Sequence, residues 1–316
     1  MVDRLFVGID VSKETFDVDM RPACFTGSFR NDAAGIEDVV TLLCQCHPQL
    51  IVIESTGHLH EAVVVALSDA GLPVFVANPR WVRHLAQGWG LLAKTDRLDA
   101  AILALYAEKV RPELRPLPDA EQRQLQALVR RYDDLKATAT AEKIRRHGAS
   151  PEVQADIDAH LQFLRQRLVR LAEQIHELIA CDPRRAEDYD LLSTTKGVGA
   201  VTSFTLVALL PELGQLGHKQ IAALAGVAPL NCDSGKHQGT RRCWGGRAQV
   251  RTALYMATLT AIRCNPQIKA FYHRLTTVQR KPHKVAMLAC AHKLLTTLNA
   301  MLRDRSPWRP ELAPAA

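Results

Sequence analysis

The sequence predicts an α/β domain at the N-terminus, then a helical connector and a mainly α C-terminal domain. Three observations support this. Strand-like and helix-like runs alternate in the N-terminal third, three prolines (Pro112, Pro116 and Pro118) interrupt the chain, and leucines at heptad spacing fill the segment that follows. Leu5–Asp10 is a short apolar run. Thr15–Met20 alternates, with Phe16, Val18 and Met20 set against Asp17 and Asp19, so the two runs read as a hairpin. A third short strand is expected near Ser28–Arg30. Asp32 then caps a helix with Ile36, Val39, Val40 and Leu43 on one face. Leu50–Ile53 reads as a buried strand, His60–Ala70 as a helix and Pro73–Ala77 as a strand, and Pro79 opens a further helix.

Three strands followed by alternating helix and strand is the ribonuclease-H-like order. Rossmann-type sheets share the alternation, but no GxGxxG follows the first strand here. Beyond the prolines, two long helices are expected over Glu121–Arg146 and Pro151–Ala180. The second carries Ile157, Leu161, Leu164, Leu168, Leu171, Ile175 and Leu178, a coiled-coil seam, and Leu125, Leu128, Tyr132 and Leu135 of the first match it. An intramolecular hairpin and a pairing of subunits both satisfy that pattern. Further on, Lys196-Gly197-Val198-Gly199 between apolar flanks reads as a helix-hairpin-helix turn or as a glycine turn between core helices. Asp233–Arg251 reads as a loop leading into an apolar helix that Asn265-Pro266 ends. The expected domains are 1–111, a connector over 112–185, and 186–316.

Composition narrows the function. Hydrophobic residues make up 47% of the 316, enough for real cores. No apolar run nears the ~20 residues of a membrane helix, and the N-terminus lacks a signal-peptide core, so a soluble cytoplasmic protein with no membrane partner is expected. A net charge of +7 and a pI near 9.1 fit a nucleic-acid partner, and equally a solvated basic surface. The eight cysteines form no CxxC pair. Cys44, Cys46 and His47 offer three zinc ligands without a fourth, so reduced thiols are the default.

Four acids stand out by position. Asp10 closes the first strand and Glu54 follows the strand Leu50–Ile53. Asp96 and Asp99 in KTDRLDA lie three apart, on one helical face. Carboxylates gathered from two strand ends and a helix repel one another and call for a cation. Magnesium suits them because it takes oxygen ligands and keeps waters for phosphate oxygens. Singly, each acid has a structural explanation: Asp10 ends a strand, and Asp96 caps a helix. GIDVSK also resembles the first phosphate loop of actin-like ATPases, but the second phosphate loop and the adenosine motif are not evident.

In Gly226–Met256, Ser234 sits between Asp233 and Gly235 in an expected turn. Lys236, Arg241, Arg242, Arg247 and Arg251 surround it, together with Trp244 and a Gly-Gly pair. Such a loop suits a phosphodiester attacked by the serine hydroxyl, and also a plain phosphate-binding turn. Lys236, Arg241, Arg242 and Arg247 are the candidates for holding the nucleic-acid backbone.

Taken together, GIDVSK, ESTG, KTDRLDA and the Ser234 block resemble the insertion-sequence-110 family of transposases and the related Piv-type DNA invertases, from about residue 5 to about 300. The resemblance implies a RuvC-like domain in which Asp10, Glu54, Asp96 and Asp99 form a DEDD site for Mg2+. It implies Ser234 as the nucleophile, forming a phosphoserine with DNA. It further implies a homo-oligomer, a tetramer, directed by an element-encoded guide RNA to donor and target DNA. Two other classes stay open: a RuvC-type junction nuclease that ignores Ser234, and a non-catalytic nucleic-acid-binding protein.

Overall fold

Alternation and capping set the first elements, as expected. The computed structural model describes residues 4–22, 25–57, 59–91, 96–114, 117–231, 233–234, 237–239 and 241–309. The side chains of 96–98, 233–234 and 237–238 lie outside that description. The chain divides into two units, Met1–Leu117 and Pro118–Ala316.

In the first unit β1 (Phe6–Val11) and β2 (Thr15–Arg21) pair antiparallel, and Ser12 Oγ donates to the Thr15 carbonyl at 2.7 Å to close their turn. β3 (Thr26–Arg30) extends this hairpin. Asp32 caps α1 (Ala33–Cys46) by accepting from the Gly35 amide at 2.9 Å, and the helix ends at His47 in the left-handed region. There follow β4 (Leu50–Glu54), α2 (Glu61–Asp69), β5 (Val74–Ala77), α3 (Pro79–Gly88) and α4 (Asp96–Val110). Asn78 caps α3, and Pro79 occupies its first position, where the missing N–H has no helical partner to lose.

The sheet order is β3-β2-β1-β4-β5, with β1, β4 and β5 mutually parallel. This arrangement is compatible with the ribonuclease-H-like, RuvC-like expectation. The period-2 pleat divides the buried residues between two faces. One core gathers Val7, Ile9, Phe16, Val18, Met20, Ile51 and Ile53 with Val39, Leu43, Val63 and Leu67 of α1 and α2. The other gathers Phe6, Leu50, Val52 and Ala77 with Val82 and Ala86 of α3 and Leu103, Tyr106 and Ala107 of α4.

Gly8 sets how closely α4 approaches. A Cβ built there would lie 2.2 Å from the Ala100 carbonyl oxygen and 2.2 Å from the Ala104 amide nitrogen, so backbone packs on backbone. The end of α4 lies over the start of β1. Tyr106 and Ala107 share a core with Phe6, and the Arg111 guanidinium sits 5.3 Å from the Phe6 ring centre. α4 therefore runs against β1, and its first turn lies over the end of that strand. Arg21 of β2 pairs with Glu108 at 2.9 Å on the same face. Cys44 and Cys46 are free thiols at the end of α1, and Cys46 packs against the core.

The second unit is mostly helical. α5 (Ala120–Arg146) and α6 (Pro151–Cys181) form an antiparallel hairpin through the short turn 147–150. Their seam is buried within the chain. Leu125, Val129, Ile175 and Ile179 join the main helical core, and Leu135, Ala139, Ile157, Leu161, Leu164 and Leu171 form a second cluster farther along. Each such leucine, isoleucine or valine contributes about 1.5–3 kcal/mol on burial. Of the two arrangements the seam allowed, the structure uses the intramolecular one.

α7 (Pro183–Ser193), α8 (Ala200–Leu209), α9 (His218–Ala225), a two-residue hairpin of β6 (Asp233–Ser234) and β7 (His237–Gln238), α10 (Ala248–Cys264), α11 (Pro266–His273), a π-helical turn over Arg274–Val278 and α12 (His283–Arg303) complete the unit. Gly197 has φ of 101°, and a Cβ there would lie 2.6 Å from the Ala261 Cα, so this glycine turn is packed on α10. Buried Asn265 donates to the Lys196 carbonyl at 3.1 Å and caps α11. Among the described residues, α12 is the one helix long and apolar enough to cross a membrane, and Leu294, Leu295 and Leu298 bury it in the helical core.

Candidate active site

The β1–β4 pairing brings the first two predicted acids together. The pairing runs as far as Ile9 with Ile53, so the next residue on each strand is Asp10 and Glu54, side by side on the face covered by α4. Asp99 is half-buried in the first turn of α4, next to Ala100, whose backbone lies against Gly8. Asp96 opens the same helix, and its side chain lies outside the described residues. Asp10, Glu54 and Asp99 each have a polar or electrostatic partner. Among the described residues, no three His, Cys, Asp or Glu side chains stand in ligating geometry. Asp10 and Glu54 lie side by side at the C-terminal ends of β1 and β4, and carboxylate oxygens of this kind are the ligands a hard divalent cation takes.

Sequence reasoning did not single out Asp17. It pairs directly with Asp10 across β1 and β2 and lies on the same face. The signal was in the alternation, since Phe16 and Val18 point the other way. Asp17 lines a cavity of about 170 Å³ with Thr26, Gly27, Ser28 and Ala100, and Asp19 beside it accepts from Thr26 Oγ1 at 2.9 Å.

The segment after Glu54 is anchored. The Ser55 amide donates to the Ala77 carbonyl at 3.1 Å, and the Thr56 amide donates to His60 Nδ1 at 3.2 Å, which requires that ring nitrogen to be unprotonated. Asn31 Nδ2 donates to the Ser12 carbonyl at 2.9 Å and to the Leu59 carbonyl at 3.4 Å, tying this segment to the end of β1. The GIDVSK glycine is not open to a phosphate. Gly8 is covered by α4, so its missing side chain serves packing.

In the second unit, Ser234 departs from the expected open loop. It is the last residue of β6 and pairs with His237, one step before the hairpin tip. Lys236 lies outside the described residues, as does the Ser234 side chain. The base of this excursion is clamped. Gly226 ends α9 at φ of 73°, and a Cβ there would lie 2.3 Å from the Gly245 carbonyl oxygen. A Cβ on Gly246 would lie 2.3 Å from the Gly226 amide nitrogen. The Arg247 amide donates to the Leu224 carbonyl at 2.9 Å, and Leu230 and Arg242 form a β-bridge. Arg251 donates to the Gly245 carbonyl at 2.5 Å. The chain thus leaves and re-enters the helical core at one point, and Ser234 is carried beyond it.

The candidate cations differ in their surroundings. Arg241 and Arg242 are exposed. Arg247 is engaged internally: its two terminal nitrogens meet the Glu212 carboxylate at 2.6 and 2.7 Å, and one also donates to the Leu209 carbonyl. Sequence reasoning also passed over the charge distribution. From Ser234 to Arg303 there is no Asp or Glu, against thirteen Lys and Arg.

Two family profiles match this architecture. One, for the DEDD class of IS110 and described as "Transposase", matches residues 7–149. The other, described as "Transposase IS116/IS110/IS902 family", matches residues 189–273. The chain belongs to the IS110 family of transposases. As a member, it is an enzyme of the DNA recombinase and transposase class. It is similar to the pilin gene-inverting protein of Moraxella bovis, 29% identical over 324 residues covering 97% of this chain and 98% of the relative. The pilin gene-inverting protein of Moraxella lacunata is 28% identical over the same shares. A shorter match, 36% over 98 residues, is to the insertion element IS900 uncharacterized 42 kDa protein of Mycobacterium paratuberculosis, covering 31% of this chain and 24% of that one. The first profile spans all four candidate acids of this IS110-family chain, and the second spans Ser234.

Proposed function

We propose that this transposase cuts and rejoins donor and target DNA through Ser234, assisted by Mg2+ held on Asp10, Glu54, Asp96 and Asp99. The observation that most supports this is the β1–β4 register, which sets Asp10 beside Glu54 under the α4 turn that carries Asp99. Bound magnesium would supply positive charge for the phosphate oxygens. Ser234 Oγ would attack phosphorus as the P–O bond to one deoxyribose oxygen breaks, and the serine proton would pass to that oxygen, which leaves as an alcohol. Attack by a different sugar hydroxyl on the phosphoserine reverses the step and joins a new strand. Each bond broken is replaced by an equivalent one, so no ATP is required. Arg241, Arg242 and Lys236 would hold the backbone beside the serine, and Arg247 would fix the base of their loop through Glu212.

The finer assignments follow the family resemblance. We place a RuvC-like domain over 1–111, the helical connector over 112–185 and the serine domain over 186–316. The protein would act in the cytoplasm as a homo-oligomer, a tetramer, guided by an RNA encoded by its own element. Exposed Ile144, Val153, Phe163 and Val169 on the α5–α6 hairpin support contact with a second copy. Inversion of a DNA segment is the second reading, favoured by the near full-length likeness to pilin gene-inverting proteins.

The test combines purified protein, transcribed flanking RNA and a plasmid carrying donor and target sites. Wild type should give joined products and a protein–DNA adduct that survives denaturant, and Ser234→Ala should give neither. Persistence of the adduct in Ser234→Ala would remove the serine from this role. Full-rate joining after thorough ribonuclease treatment would remove the guide RNA.

A further inference from the structure

The chain has four tryptophans, and three are more than half exposed: Trp81 at 58%, Trp89 at 52% and Trp244 at 57%. Tryptophan carries the largest apolar surface of any side chain, so leaving three in water is costly unless something covers them. Two of the three lie on or just past α3. That helix begins next to the carboxylates: Ala77 is the sheet neighbour of Glu54, Asn78 caps the helix, and Trp81 lies in its first turn. Val82 and Ala86 anchor α3 on the sheet face that also carries Asp10 and Glu54.

The exposed side of α3 has one sign of charge. From Ala70 to Thr95 there is no Asp or Glu. Arg80, Arg83 and His84 are exposed, and neither guanidinium has an acidic partner among the described residues. Trp81 and His84 are three residues apart and Arg80 and His84 four apart, so the three adjoin on the helix surface. From Trp81 to Trp89 the helix rises about 12 Å at 1.5 Å per residue. At about 3.4 Å per nucleotide that is the length of three to four stacked bases.

We infer that the outer face of α3 is a stacking platform for unpaired nucleotides, with Trp81 as its main ring, Trp89 at its far end, and Arg80 and Arg83 on the phosphates. The inference rests on the recombinase reading of the neighbouring carboxylates and deepens it. The platform would hold bases released from a duplex beside the acids that act on the backbone. Indole faces stack on every base, so it selects single strands over duplexes and has little sequence preference. An apolar protein partner would explain the rings but not a helix that bears exposed arginines and no acid of its own.

The test uses full-length protein freed of nucleic acid in high salt, with a fluorescein-labelled oligothymidylate and a blunt duplex of equal length as probes. Each base stacked on an aromatic ring is worth about 1–3 kcal/mol, so Trp81→Ala should weaken oligothymidylate binding about five- to 150-fold. Duplex affinity should change less than about twofold, and Trp81→Phe should recover most of the loss. Tryptophan fluorescence of wild type should be quenched by the oligothymidylate, and less so in Trp81→Ala. Equal losses on both probes, or none, would overturn the platform. So would unchanged binding with loss of self-association by light scattering, which would make this face a contact between copies. If wild type binds neither probe and joins no DNA, the recombinase reading fails as well.

Discussion

Replacing Gly8 by alanine should separate the acids without touching any of them. The new methyl carbon would lie 2.2 Å from both the Ala100 oxygen and the Ala104 nitrogen, and 2.8 Å from the Leu103 carbonyl carbon. Those atoms are helix backbone, so relief requires α4 to withdraw by about 1 Å. A gap of that size forfeits a quarter to a half of each contact that Leu103, Tyr106 and Ala107 make with Phe6, Leu50 and Val52. Overpacking of this kind costs about 1–3 kcal/mol. For a unit of this size that is a fall in melting temperature of about 4–12 °C. Asp99 moves with the helix while Asp10 and Glu54 stay on the sheet. A 1 Å misplacement of catalytic groups costs on the order of 100-fold in rate. Calorimetry and the plasmid joining assay read the two effects, with Gly88→Ala as control, since a Cβ there meets nothing within 4 Å. Gly88→Ala should be neutral or slightly stabilising. A Gly8→Ala protein that melts and recombines like wild type would refute the close approach of α4 and the geometry built on it.

Asp10→Asn, Glu54→Gln, Asp96→Asn and Asp99→Asn should each abolish joining without lowering the melting temperature, because each relieves repulsion among the acids; robust joining by any one removes that residue from the site. Arg247→Ala should cost about 1–3 kcal/mol by breaking a part-buried, doubly bonded ion pair, and Glu212→Ala should cost the same, with the double variant no worse. If Glu212→Ala melts like wild type, Arg247 does not clamp the serine loop through that carboxylate. Burial, and then the nearby His218, hold His292 below its ordinary value of 6.5. Its folded form resists protonation while the unfolded chain accepts it, so stability should fall as pH drops below about 6.5. Denaturant melts of wild type and His292→Gln across that range check this, and identical profiles would count against it.

Much of this protein was legible because local patterns report local structure. The alternation in Thr15–Met20 gave β2, Asp32 gave the start of α1, and the seam from Ile157 to Leu178 gave α6, because strand and helix periods repeat within a few residues. The four acids and Ser234 were legible as motifs, and the family profiles match across them. Tertiary structure decided what those residues meet. Asp10 stands beside Glu54 because of a parallel register, and Asp17 joins them because of an antiparallel one. Gly8 could equally have faced a phosphate, but α4 covers it. Arg247 looked like its exposed neighbours Arg241 and Arg242 until Glu212, 35 residues away, took its guanidinium. The leucine seam fitted two partners, and chain folding chose α5. Each of these depends on segments far apart in the chain meeting at one place. A single sequence carries each face of such a contact but not their pairing, which is fixed only when the whole core closes.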